Sequence, residues 1–269
     1  MINRTARLLL AIVFFYAPAY GHETIAIDNL EDVVQHVTPN SLVIFGGLNT
    51  LFKTEDPGRW PYHWNACLDH MQTKNGYHHS VSAAAADLRK IHPFKAKFLP
   101  TTAGIDLIIA GIRETNSKII CITRLPQQIN GSNINNGITD CLEQRGAVLA
   151  LDWFDLAVNE QFTTTTPFLN GIIHATNFDL SQLLKDFITF TQDTFDNIIV
   201  VDDEDENLVK YGTAADELEI SCSCLLFRKL HVAPEGFSLS RDIKDLLPKR
   251  KGHRAEEAEK ARKKAKNDK

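Results

Sequence analysis

The chain has 269 residues, 43% of them hydrophobic and 23% charged, with a formal charge of -5 at pH 7. That length holds one domain with a substantial core and a small inserted lobe, and the composition excludes a wholly disordered or fibrous protein. The charge is uneven: residues 249–269 carry ten Lys/Arg against four Asp/Glu, +6 net, which leaves -11 on the remainder, and an acidic body does not favour nucleic acid as its main partner.

At the N-terminus, Arg4 and Arg7 precede an apolar run from Leu8 to Tyr16 and the small residues Ala17, Ala19 and Gly21. This pattern predicts a secretory leader over residues 1–21, cut after Gly21, with a cut after Ala19 or an uncleaved anchor as alternatives. The apolar run is short of the ~20 residues that span a bilayer. The mature chain is therefore expected to be exported, to the periplasm or beyond, without a transmembrane segment.

Beyond residue 25, helical and strand patterns alternate. Asn29–Val37 reads as a helix with Leu30, Val33, Val34 and Val37 on one face, and Leu42–Phe45 as a short apolar strand. Ile105–Ile112 reads as an amphipathic helix, Lys118–Thr123 as a strand and Asn133–Arg145 as a helix. Ala147–Leu151 and Gly171–Ala175 read as strands, with Leu180–Phe190 as a helix after them. Asn197–Val201 is a strand, Ala214–Glu217 belongs to a helix, and Glu219–Lys229 is a final strand. Continuously apolar strands separated by helices are what a parallel sheet covered on both faces requires, so the predicted fold is a doubly wound, Rossmann-like α/β domain over residues 22–247. Ligands bind such a sheet beyond the carboxyl ends of its strands. Three of these strands run there into Gly46-Gly47-Leu48-Asn49-Thr50, Thr123-Arg124 and Asp202-Asp203-Glu204-Asp205.

The segment 53–100 is far longer than an ordinary connection of ~4–6 residues. It is rich in Trp60, Tyr62, His63, Trp64, Tyr77, His78 and His79, and is expected to form a small helical cap, with Ser80–Ile91 as one helix whose alanines pack closely against a neighbour. His63, Cys67, His70, His78 and His79 include metal-ligating types, but their spacing matches no sharp signature and packing is the favoured reading. Asp152 and Asp155 follow the Ala147–Leu151 segment and are weighed as replacement carboxylates at the sheet edge against helix-capping residues. Asn130-Gly131-Ser132 reads as a turn. Of the five cysteines, Cys121, Cys222 and Cys224 lie in apolar strands as core thiols, and Cys67 with Cys141 is a conceivable disulfide. The basic tail, residues 248–269, has helix formers but no apolar face, which predicts a solvated helix or disorder, with an anionic partner as the alternative.

The loop motifs resemble those of the haloacid dehalogenase (HAD) phosphatases, in the manner of an uncharacterised secreted bacterial group of acid-phosphatase-type relatives. The family's first motif is an apolar strand followed by D-x-D-x-T-L; here it stands as Ile44-Phe45-Gly46-Gly47-Leu48-Asn49-Thr50-Leu51. The second, a strand ending in Ser or Thr, matches Ile120-Cys121-Ile122-Thr123, and the fourth, a strand ending in an acidic pair, matches Ile198-Ile199-Val200-Val201-Asp202-Asp203. The resemblance implies a HAD-like domain with a cap insert. It also implies a nucleophilic Asp, a second Asp as acid and base, a Mg²⁺ held by carboxylates, and a Thr and Lys holding phosphoryl oxygens. Here the nucleophile position is Gly46 and the acid/base position is Leu48, so no catalytic residue is expected. Thr50, Thr123 and, as a substitute for a motif Lys that falls near Asp179, Lys185 are expected as the phosphate-binding remnant. Asp202 and Asp203 are expected as a residual metal site, with Mg²⁺ weak or absent and no other cofactor.

The leading expectation is a secreted or periplasmic pseudophosphatase that binds an unknown protein or small ligand in its vestigial cleft. The alternatives are a divergent Mg²⁺-dependent phosphatase or hydrolase using Asp202 and Asp203, and a secreted interaction factor acting through the basic tail.

Overall fold

The computed structural model describes residues 22–73, 81–91, 94–95, 97–129, 131–153 and 168–233. The leader, Tyr77, His78, His79, Asn130, Asp155 and the basic tail lie outside the described residues. Contacts divide the chain into two compact units, with boundaries after Glu55, after Lys95 and after Lys229.

The larger unit is a mixed α/β domain in the Rossmann-like, doubly wound manner. Its strands in chain order are β1 (His22–Ile27), β2 (Ser41–Gly46), β3 (Phe52–Thr54), β4 (Phe98–Pro100), β5 (Lys118–Thr123), β6 (Gln128–Ile129), β7 (Ser132–Asn133), β8 (Phe168–Leu169), β9 (Ile172–His174), β10 (Asn197–Asp202) and β11 (Ser221–Phe227). Seven of them form one sheet in the order β1-β11-β10-β2-β5-β9-β8, parallel throughout except where β8 turns back on β9. The central strands β2 and β10 are buried along their whole length. Their runs SLVIFG and NIIVVD fit that position because both faces of a parallel strand meet apolar side chains.

On one face, Leu42, Ile44, Ile120, Ile122, Ile198 and Val200 pack against the helices Leu180–Thr191 and Asp205–Glu217 through Leu183, Leu184, Phe187, Leu208 and Tyr211. The other face meets the helix Ile105–Arg113, whose buried stripe is Ile105, Ile108, Ile109 and Ile112, and a 3-10 helix, Leu30–His36. The helix predicted at Asn29–Val37 is thus the tighter 3-10 form. The helix Ile134–Glu143 starts on a side-chain cap, Asn133 accepting from the Asn136 N–H at 3.0 Å.

The short strands β3, β4 and β8 are additions to the predicted order, and two further elements depart from it. Ala147–Leu151 is not a strand; Leu149–Trp153 is a 3-10 helix. Its polar ends hold it off the ladder: the Trp153 indole donates to the Ile119 carbonyl at 2.8 Å, and Asp152 accepts from the Ile119 N–H at 3.1 Å and from Arg113 Nε at 2.6 Å. The place beside β5 goes to β9 instead. In the other direction, β1 was not anticipated, because HETIAI mixes polar and apolar residues; it serves as the outermost strand beside β11.

The smaller unit contains α1 (Pro61–Thr73) and α2 (Val81–Ile91). Taken with these, the helices of the larger unit are α3 (Ile105–Arg113), α4 (Ile134–Glu143), α5 (Leu180–Thr191) and α6 (Asp205–Glu217). Cys67 and Met71 on α1 pack against Ala84 and Leu88 on α2, where alanine lets the helices approach closely. His63 stacks on Trp60 and its Nδ1 donates to the Pro57 carbonyl at 2.8 Å, while burial pushes the Cys67 thiol up to about 11. Both side chains are absorbed by packing. The five cysteines are free thiols, so Cys67 and Cys141 are not bridged. Among the described residues, no helix is long and apolar enough to cross a membrane.

Phe187 is fully buried and meets Trp153 and Phe168 edge to face at centroid distances of 5.2 and 5.6 Å. Phe187→Ala is expected to cost about 3–5 kcal/mol through lost burial and a residual cavity, read as a lower urea midpoint with an unchanged slope.

Candidate functional site

Because β10, β2 and β5 are neighbours and parallel, their carboxyl ends lie side by side. The three polar loops singled out in the sequence therefore open at one edge. β2 leaves the sheet at Gly46 and turns at once: Leu51 N–H donates to the Gly46 and Gly47 carbonyls at 3.2 and 3.0 Å, and Phe52 N–H to Gly47 at 3.1 Å. Asn49 takes the left-handed conformation this turn needs, with φ 70°, which asparagine tolerates better than most residues. Thr101 Oγ1 donates to the Thr50 carbonyl and anchors the turn from below.

The two glycines serve close approach. A Cβ on Gly46 would lie 2.5 Å from Asp202 Oδ2 and 3.1 Å from Thr50 Oγ1; one on Gly47 would lie 2.6 Å from Thr123 Cβ. Asp202 from β10 and Thr123 from β5 thus lean over the end of β2 from either side. The space a side chain at position 46 would enter is already taken by the Asp202 carboxylate.

That carboxylate is nearly fully buried. Its Oδ1 accepts from the Glu204 N–H at 2.9 Å and from Asn207 Nδ2 at 3.0 Å. Burial, and then the neighbouring charge of Asp203, push its pKa up from 3.8 to about 7 against the pull of those hydrogen bonds. Thr50 is buried and its hydroxyl donates to Asp203 Oδ1 at 3.3 Å. Thr123 is also buried, and its Oγ1 accepts from the Leu125 N–H at 3.2 Å, so the hydroxyl shapes the turn after β5. His174, at the end of β9, supports that turn by donating from Nδ1 to the Leu125 carbonyl at 3.0 Å, and burial holds its pKa below the usual value.

A cleft of about 130 Å³ opens over these groups. Its polar wall is Thr123, Arg124, Asp202, Asp203, Glu204 and Asn207; Leu48, Ile122, Leu125 and Leu180 are among the apolar residues that close it. The structure therefore gathers Gly46, Leu48, Thr50, Thr123, Asp202 and Asp203 at one place. It does not bring Lys185 there. The side chains of Leu183, Leu184 and Phe187 occupy the sheet face of α5, which turns Lys185 toward α6, where its Nζ lies 2.7 Å from Glu217. Asp179 caps α5, accepting from the Gln182 N–H at 3.0 Å. Asp152 is likewise no replacement carboxylate, since its partner Ile119 stands at the amino-end side of β5, away from Thr123.

Two cleft residues received no role from the sequence. Arg124 supplies the cation: its guanidinium donates to the Phe178 carbonyl at 3.3 Å and to Asn207 Oδ1 at 3.4 Å. Asn207 in turn donates to Asp202 and, at 3.3 Å, to Glu204. The signals were present, an Arg directly after the strand-ending Thr and an Asn five residues beyond Asp202, where the first turn of α6 points back at the strand end.

Over residues 23–244 the chain matches the family described as Protein of unknown function (DUF2608). It belongs to that family. No match was found among curated proteins. The DUF2608 match covers the sheet, apart from the first residue of β1, and the cleft.

The close approach at Gly46 can be measured in this DUF2608 member. Gly46→Ala is expected to destabilise by about 1–3 kcal/mol through overpacking. In an Asp202→Ala background that cost should fall well below its wild-type value, since the colliding carboxylate is gone; a denaturant-melt double-mutant cycle reads the coupling.

Asp202 also predicts a pH dependence. A carboxyl whose pKa is raised from 3.8 to about 7 on folding contributes most stability below the unfolded value, and that contribution is lost as pH rises through the folded value. Asp202→Asn, which keeps an acceptor oxygen and cannot ionise, is therefore expected to be more stable than wild type at pH 8 by roughly 1–4 kcal/mol. The gap should close as pH falls toward about 4, as read by urea melts across that range.

Proposed function

We propose that this chain is an exported, non-catalytic relative of the HAD phosphatases whose cleft binds a small ligand. The reading is supported by the order of elements around the cleft: the strand carrying the first-motif remnant, β2, lies between β5, which ends in Thr123, and β10, which ends in Asp202-Asp203. The observation that carries the non-catalytic reading is the end of β2. Position 46 has no side chain, its space is occupied by Asp202, and position 48 presents leucine to the cleft. An aspartyl-phosphate route needs a carboxylate nucleophile at the first position and a proton donor at the second; Gly46 and Leu48 supply neither.

The residues present do not fit the Mg²⁺ of that family. Mg²⁺ demands near-octahedral oxygen ligands. Here Asp202 Oδ1 is engaged by two N–H donors, Asp203 Oδ1 accepts from Thr50, and a guanidinium shares the cleft. Among the described residues, no three His, Cys, Asp or Glu side chains gather as a metal site. What the cleft offers is two kinds of handle, carboxylates and Arg124, beside an apolar wall, and its volume suits a small ligand or one side chain of a protein partner.

A second reading rests on one observation: Asp202 Oδ2 stands where a side chain from position 46 would reach, with a pKa near neutrality. A divergent hydrolase using Asp202 would place its carboxylate there. Hydrolysis of an aryl phosphate by the mature chain, with and without Mg²⁺, separates the two. The expected result is no turnover above the uncatalysed rate, unchanged in Asp202→Ala. Metal-dependent turnover that disappears in Asp202→Ala would establish the hydrolase.

A further inference from the structure

β1 begins at His22, and the seat of that residue is unusually specific. Its imidazole lies flat against α6 at Gly212, where any Cβ would collide with the ring. Its Nδ1 is 2.9 Å from Asp216 Oδ2. The other carboxylate oxygen, Asp216 Oδ1, is buried and has no hydrogen-bond partner. A buried acceptor left unmet is costly.

The position of Asp216 sharpens the problem. Asp216 and Glu217 close the last turn of α6, the negative pole of the helix, where carboxylates are disfavoured and cations are welcome. Glu217 has an ammonium partner in Lys185 at 2.7 Å. Among the described residues Asp216 is paired with the imidazole alone, which is charged only when protonated. Among the described residues, no permanent cation meets Asp216 beside His22.

We propose that proteolytic removal of the leader at the Gly21–His22 bond supplies that cation, so that the new α-ammonium of His22 pairs with Asp216 and pins β1 to α6. The step is a hydrolysis by a leader peptidase. Water adds across the amide, its oxygen going to the Gly21 carbonyl carbon to give a carboxylate, and the His22 nitrogen leaves as an amine that takes up a proton. An α-amino group titrates near 8, so it is mostly charged at neutral pH. The α-nitrogen stands four covalent bonds from Nδ1, which itself lies 2.9 Å from Asp216 Oδ2, so the ammonium falls well inside a Debye length of that carboxylate. β1 is the outermost strand of the sheet and contacts β11 and α6, so a pin at its first residue acts where strands fray most easily. This inference rests on the leader and is independent of what the cleft binds.

The test has two stages. The protein is expressed with its leader in an exporting host, and its N-terminus is read by peptide sequencing and intact mass; His22 is expected, and any other mature terminus overturns the proposal. Chains starting at His22 and at Gly21 are then compared by thermal melt, each with and without Asp216→Asn. The His22 chain should melt about 2–4 °C higher, the scale of one modest ion pair in a protein of this size, and the gap should vanish with Asp216→Asn. Selective acetylation of the His22 α-amine, which removes the charge without a substitution, should lower the midpoint to that of the Gly21 chain. Equal midpoints for the two unsubstituted chains, a gap that survives Asp216→Asn, or a midpoint untouched by acetylation would each overturn it.

Discussion

The Asp202 carboxylate lies against the backbone of Gly46, and the arrangement of the cleft follows from that contact. Two parallel strands stand close enough here that a side chain from one covers the end of the other, which only glycine permits. With Asp202 lowered into this place, its Oδ1 meets the Glu204 N–H and the Asn207 amide at the start of α6, so the strand end and the helix start are tied through one carboxylate. Asn207 extends the link to Arg124 on the neighbouring loop. Thr123 repeats the device on the other side, lying over Gly47 while its hydroxyl closes the turn to Leu125. The floor of the cleft is a set of close approaches around glycine backbone, and no side chain projects from the first two loop positions.

This construction has an electrostatic consequence. A carboxylate that fills a gap between strands is removed from water, so Asp202 holds its proton toward neutrality, and its charge raises the pKa of the buried Cys121 thiol and Tyr211 phenol further. Arg124 offsets part of this charge from the rim, pulling the Tyr211 pKa the other way. The cleft therefore presents carboxylates and a guanidinium beside an apolar wall, with glycine and leucine at the end of β2.

The other end of α6 shows the same logic of charge. Its first turn carries Asp205 and Glu206, which suit the positive pole, with Arg228 and Lys210 as partners at 2.7 Å each. Its last turn carries Asp216 and Glu217, which do not suit the negative pole and draw His22 and Lys185 to it. The lysine that the sequence suggested for phosphate is thus used to balance a helix end.

The sequence by itself determined the fold class and the address of the cleft. Runs such as LVIF, KIICIT and NIIVV have one economical solution, a parallel sheet buried on both faces, and the polar loops after them must emerge at its carboxyl edge because parallel strands share a direction. It also placed Gly46 and Leu48, neither of them an ionisable residue, at the end of that first strand, since residue identity is legible without coordinates. What only the tertiary structure decided depends on neighbours distant in the chain. HETIAI reads as no clear element, and becomes β1 because β11 offers it an edge. Ala147–Leu151 has the apolar content of a strand, and loses that place because Asp152 and Trp153 find partners around Ile119 and Arg113. Lys185 and Arg124 are equally basic, yet Leu183, Leu184 and Phe187 turn one away from the cleft, while the end of β5 delivers the other to it. Periodicity reports which face of an element is buried; which charge meets which is set by packing between elements far apart in the chain.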